Sequence, residues 1–205
     1  MKLLFLRAGV AAACASAVIL LFLFTTGAEC GDLQTGIAYA GIYALSDELG
    51  GFKLISAAGT GTRSDPLSVT VELESASPVT LTIRSLVPVR LIPGDAMQSI
   101  YFRVSALNNS ALAWIEFEFE LQSRRGEPSD FGDGLSFDQT QSAGPEAISS
   151  DGFAKFTREF EPYDRLRFHH GKVDPLETVS FSFLVTDFMP KHVFYLVLDP
   201  RIPSS

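Results

Sequence analysis

The sequence predicts an all-β protein, an antiparallel sandwich of short strands preceded by a hydrophobic N-terminal targeting helix. Three observations predict it. Apolar and polar residues alternate with a period of two in separate runs between Leu67 and Val185. Gly, Pro, Asn, Asp and Ser gather between those runs, and no amphipathic helical stripe accompanies them. Alternation sends one set of side chains into a core and the other to water, as a half-buried antiparallel strand requires.

The N-terminus has a different composition. Lys2 and Arg7 form a short basic start, and no residue from Ala8 to Ala28 is charged. Val18 to Phe24 is strongly apolar, and the stretch ends in small residues, with Thr26 and Ala28 at the positions that signal peptidase reads. This is the layout of a secretory signal peptide over residues 1–28, cleaved after Ala28. An uncharged run of about 20 residues also suffices to span a bilayer, so a retained signal anchor is the alternative. Both readings keep the basic end in the cytoplasm and export the rest to the periplasm or extracellular space. Lipidation of Cys30 is disfavoured because Glu29 stands where a small residue is needed.

Charge and cysteine content narrow the partners. Lys and Arg total 16 against 24 Asp and Glu, a net charge of −8. The basic residues are scattered, with Arg124-Arg125 the one adjacent pair. A polyanion binder needs clustered cations to neutralise phosphates, so nucleic acid and anionic membrane surfaces are poor partner candidates. Membrane contact is expected only through an uncleaved N-terminal segment. Cys14 lies in the targeting segment, which leaves Cys30 alone in the mature chain, either a free thiol or an interchain partner. An acidic exported domain without disulfides fits a bacterial envelope.

Residues 29–65 read as a Gly-rich lead-in. Gly36 to Ala44 is apolar without a clean period and fits a strand, a short helix or an edge segment, and Phe52 to Ile55 reads as a brief strand. The sandwich domain is expected over residues 66–200. Leu67, Val69, Val71 and Leu73 alternate with Ser68, Thr70, Glu72 and Glu74; Val79, Leu81 and Ile83 repeat the pattern after a turn. Ile100, Phe102 and Val104 begin another strand, and Asn108-Asn109-Ser110 supplies turn chemistry. Ile115, Phe117, Phe119 and Leu121 then interleave with Glu116, Glu118, Glu120 and Gln122. A strand stacks those glutamates on one face, whereas a helix would scatter them. A long irregular loop is expected over residues 123–151. Strands resume at Phe153–Phe160, around Leu166 and Phe168, and at Val179–Val185, and His192–Leu198 reads as an apolar strand covered on both faces.

Leu91-Ile92-Pro93-Gly94-Asp95 precedes the Ile100 strand, and Val173-Asp174-Pro175-Leu176-Glu177 precedes the Val179 strand. In each, proline sets the first corner of a turn and an acid follows it. Leu176 replaces the glycine of the first copy, so the second turn is expected to be of another type. The pro-turn-acid signature, with the hairpin from Ile100 to Leu121, resembles bacterial immunoglobulin-like sandwich domains. The resemblance implies an immunoglobulin-like sandwich and no particular activity.

Searching for chemistry yields no catalytic residues and no cofactor motif. Gly134-Leu135-Ser136-Phe137-Asp138 lacks the second glycine of a nucleophile elbow, and a triad through Asp187 has only composition behind it. His169 and His170 adjoin on a strand, so their side chains are expected on opposite faces, unable to hold one zinc ion together. Asp130, Asp133 and Asp138 crowd a Gly-containing loop and are the candidate calcium ligands, since hard cations take several carboxylate and carbonyl oxygens. Their spacing departs from an EF-hand, and a solvated acidic loop is the plainer reading. Glu116 and Glu118, with Arg103 or Arg84 opposite, and Trp114, which shares their parity, are the candidate partner-binding residues. For the glutamates, a solvated face that discourages sheet-edge aggregation is the plainer reading. Packing under the long loop is the alternative for Trp114.

The expected function is therefore a non-enzymatic binding or scaffolding module for an envelope or extracellular protein or glycan. A hydrolase using loop carboxylates and a structural subunit of a surface assembly are the rival readings.

Overall fold

A computed structural model describes residues 36–88, 98–138, 147–159 and 163–203, all within one compact unit. The targeting segment 1–28, Cys30 and the Leu91–Asp95 turn lie outside the described residues.

The chain is all-β, in two sheets. One holds, in spatial order, β1 (Ile37–Ala40), β2 (Tyr43–Ser46), β5 (Val79–Ser85), β13 (Val193–Arg201), β7 (Glu116–Gln122), β11 (Arg165–Gly171) and β10 (Phe153–Glu159). The other holds β3 (Phe52–Ala58), β4 (Leu67–Leu73), β6 (Gln98–Asn108), β12 (Thr178–Asp187) and β8 (Leu135–Phe137), with β9 (Ser149–Ser150) also on β12. Helix among the described residues is confined to short 3₁₀ turns such as Phe131–Asp133.

Pairing is antiparallel throughout the first sheet, but β4 and β6 run parallel in the second, with Leu67 beside Phe102 and Leu73 beside Asn108. The strand between them explains this departure from an all-antiparallel sheet. β5 crosses to the opposite sheet, so the returning chain enters β6 in the direction of β4.

The alternating runs bury as their period requires: Leu67, Val69, Val71 and Leu73 are buried, and the residues between them are half-buried. Between the sheets lies an aromatic core. Phe181 of β12 meets Phe117 and Phe119 of β7 and Phe168 of β11 at centroid distances of 4.6, 5.0 and 4.9 Å. Phe183 meets Phe119 at 4.8 Å and Phe102 at 5.5 Å. The tilted and edge-on pairs among them add to what area burial alone supplies.

The apolar stretch Gly36–Ala44 forms β1, the turn after it and the start of β2, which pairs with β5. Asp47 fastens this lead-in to the neighbouring sheet: its carboxylate accepts from the backbone N–H of Gly36 at 2.6 Å and of Leu54 at 2.9 Å.

Four expectations need correction. The stretch 123–151 is not without structure, because β8 and β9 both pair with β12. Strands of two or three residues are too short to show a period. β13 is not covered on both faces: Phe194, Leu196 and Leu198 are buried, whereas Tyr195, Val197 and Asp199 are half-exposed. Leu176 adopts the left-handed backbone that a glycine would take, with φ of 68°, and the Glu177 N–H donates to the Asp174 carbonyl across the turn. With Pro175 at its first corner, this turn meets the type II requirement after all.

Trp114 is the fourth. It is 0% exposed and packs edge-on against Phe117 at 5.5 Å, not on the outer face. Parity fails because the chain bends at Ile115, whose N–H joins the Arg201 carbonyl while Trp114 bridges to Val173. That irregularity inserts one residue between Trp114 and the regular alternation of β7.

Candidate binding groove

The outer face of the first sheet carries a dense pattern of opposite charges. β7 presents Glu116, Glu118, Glu120 and Gln122 outward because its phenylalanines face the core. Register then places Arg165 and Val197 on either side of Glu120, and Arg167 and Asp199 on either side of Glu118. The cations opposite the glutamate row are thus Arg165, Arg167 and Arg201. Arg84 pairs with Glu48 instead, and Arg103 sits on β6 in the other sheet.

These groups form a lattice of ion pairs. Arg165 Nη2 lies 2.6 Å from Glu120 Oε2, and its Nε lies 3.5 Å from Glu118 Oε1. Arg201 Nη2 lies 3.1 Å from Glu118 Oε1 and 2.8 Å from Asp199 Oδ2. Arg167 reaches Glu116 at 3.9 Å. Gln122 Nε2 donates to Glu120 at 2.8 Å, and its carbonyl oxygen accepts from the Gly126 N–H at 2.7 Å, tying the loop after β7 to the lattice. Tyr163 stacks under Arg165, 4.3 Å from ring centroid to guanidinium.

A groove of about 360 Å³ opens over this lattice. Val197 and Asp199 line it, with Glu118, Glu120, Arg165 and Arg201 around them and Pro78 and Arg125 among the remaining lining residues. Burial raises the Asp199 carboxyl above the ordinary aspartate range; Arg201 opposes that shift, and Glu118 and Glu120 reinforce it. The groove therefore offers hydrogen-bond acceptors and forked donors in fixed places, beside a carboxyl that holds its proton more readily than usual. Glu118, at 8% exposure, is mostly buried within it.

Of the predicted residues, Glu118 lines the groove and Glu116 lies one register step along the same face. Asp199, Arg165 and Arg201 were missed. The signal for them was present: Tyr195, Val197, Asp199 and Arg201 share one parity of the last strand, and that side turns polar toward its end.

The loop aspartates do not gather. Asp130 caps the 3₁₀ turn, accepting from the Gly132 N–H at 2.9 Å. Asp133 accepts from Ser129 Oγ at 2.7 Å and from the Leu135 N–H at 2.9 Å. Asp138 lies beyond β8, buried, 3.7 Å from Arg158 Nη1. No group of three or more His, Cys, Asp or Glu placed to hold a metal ion occurs among the described residues. Asp187 is buried, and its two oxygens accept from the Met189 and Lys191 N–H groups at 3.0 and 2.9 Å; neither is hydrogen-bonded to a histidine among the described residues.

The histidines depart from expectation. His170 has φ of 60°, which turns its ring back onto the side of His169. The rings lie 4.6 Å apart, Nδ1 facing Nδ1, and His169 Nε2 contacts Thr157 Oγ1 at 2.9 Å. Strict strand alternation fails where one residue leaves the extended region.

No protein family, curated protein or solved structure matches the chain.

Proposed function

We propose that the chain is an exported, non-enzymatic module of immunoglobulin-like sandwich form that binds a polar partner, an envelope or extracellular glycan or protein segment, in the groove over β7, β11 and β13. The observation that carries this reading is the ion-pair lattice of Glu118, Glu120, Asp199, Arg165 and Arg201 around that groove. Side chains already held by cross-strand partners lose little rotamer freedom when a ligand arrives, and preorganised polar groups are what binding sites need. Carboxylates and guanidiniums in near balance suit hydroxyl and amide groups, whereas a polyanion would find too few unpaired cations. Export rests on the sequence of residues 1–28, and the two facing sheets with their aromatic core suit the immunoglobulin-like form.

The test is a titration of the purified domain against envelope glycans and peptides, followed by calorimetry. Arg125 has no ion-pair partner among the described residues and lines the groove, so Arg125→Ala should weaken a genuine groove ligand without disturbing the fold. Binding unaltered in both Arg125→Ala and Glu120→Gln would place the ligand elsewhere and end this reading.

A hydrolytic reading has one observation in its favour, the placement of Asp199 directly opposite Glu118, where burial raises the Asp199 carboxyl. A proton-holding acid next to a second carboxylate is the pairing that glycoside hydrolysis uses. Release of reducing ends from envelope polysaccharide by the wild type, abolished in Asp199→Asn, would establish it in place of simple binding.

A further inference from the structure

We infer that His169 and His170 form a chelating site for a divalent first-row transition metal, with copper(II) the tightest-binding ion. This inference is independent of the groove. Adjacent residues of a regular strand point to opposite faces. Here His170 has φ of 60°, an uncommon state for a residue with a side chain, and its ring comes to rest 4.6 Å from that of His169. Left-handed backbone at a non-glycine residue is strained and gathers at functional sites. Gly171 locks the arrangement: a Cβ there would stand 1.9 Å from the Gly152 carbonyl oxygen, so β10 and β11 approach closely next to the pair.

The nitrogens are disposed for one ion. Each histidine directs Nδ1 at the other, and His169 Nε2 lies 2.9 Å from Thr157 Oγ1. With the Nε2 hydrogen on the threonine oxygen, Nδ1 of His169 keeps its lone pair. A ligating histidine ordinarily gives its other N–H to an oxygen in this way, which fixes tautomer and ring orientation. A small opening of the two rings admits an ion at metal–nitrogen distances of about 2.0–2.1 Å. His170 is exposed, so an ion has access from solvent, and water completes the coordination. Imidazole suits copper, nickel and zinc, and the general order of divalent affinities puts copper(II) first.

The experiment uses untagged protein titrated with copper(II) and nickel(II), read by calorimetry and by the visible copper absorption and its nitrogen hyperfine structure. One equivalent with two nitrogen ligands is expected. His170→Gly is the decisive variant, because glycine accepts the same backbone and the domain should fold at least as well. Its affinity, and that of His169→Gln, should fall by about tenfold or more. His192→Gln should bind as the wild type does. No saturable binding, or equal affinity in His170→Gly with the fold intact by circular dichroism, would overturn the site.

Discussion

Asp199 stands directly opposite Glu118 on the ladder between β13 and β7, and Arg201 Nη2 lies within 3.1 Å of both carboxylates. One exposed guanidinium thus serves a buried acid and a half-buried one from neighbouring strands. The arrangement restrains both strands' outward side chains and leaves Asp199 sensitive to protonation.

Asp199→Asn is expected to raise the melting temperature at neutral pH. The folded-state pKa of Asp199 is raised, chiefly by burial, so the folded state holds this proton more tightly than the unfolded chain does. Its contribution is therefore most favourable below the unfolded value of about 3.9 and declines as pH rises through the folded value. The asparagine removes that decline, so the variant's advantage should vanish in acid. Thermal melts from acid to neutral pH check this; a variant less stable at neutral pH would mean that the Arg201 pair outweighs burial.

Leu176→Gly should stabilise the domain. Leu176 holds φ of 68° in a turn and is 76% exposed, so its side chain adds little packing to offset the strain. Relief of left-handed strain is worth roughly 1–2 kcal/mol, and glycine's greater freedom in the unfolded chain takes back about 0.5–1 kcal/mol. A net gain of up to about 1.5 kcal/mol is expected, read as a higher denaturant midpoint at unchanged slope.

The same turn shows how far the sequence could be read. Strands announced themselves wherever alternation ran four residues or more, as at Leu67–Leu73, Ile100–Val104 and Val179–Val185. What escaped were places where one residue leaves the extended region, among them Leu176 in its turn, His170 beside Gly171, and the bend at Ile115 that carries Trp114 inward. A period-two argument propagates faces along a strand and fails silently across such a slip. The groove was half legible for a related reason. The glutamates lie consecutively on one strand, but their arginines come from β11 and β13, and pairing order between distant strands is not written in local pattern.

Trp114 offers a direct check on that slip, being the single tryptophan of the chain. A fully buried indole should emit at short wavelength and resist aqueous quenchers, with both properties lost on unfolding. Its Nε1 is buried without a hydrogen-bond partner among the described residues. Trp114→Phe removes that unpaired donor and should cost about 1 kcal/mol or less, whereas Trp114→Ala should cost about 3–5 kcal/mol. Long-wavelength, quenchable emission from the folded protein would put the indole on the outer face.

Asp133 decides between an acidic loop that organises itself and one that awaits a cation. Burial pushes its carboxyl up, but hydrogen bonds from Ser123, Ser129 and the Leu135 N–H, together with nearby Lys191, outweigh burial and hold it below the usual aspartate value. A depressed folded value means stability that is present above the unfolded pKa and is lost as pH falls through the folded one. Asp133→Ala should remove that acid-sensitive component and cost about 1–2 kcal/mol at neutral pH, since a capping acceptor is lost and its donors are left unpaired. Millimolar calcium would have to displace those donors, so the wild-type melting temperature is expected to stay where it is. A calcium-dependent rise in the wild type that disappears in Asp133→Ala would instead make the loop a cation site, with Asp133 as a ligand and not merely a cap.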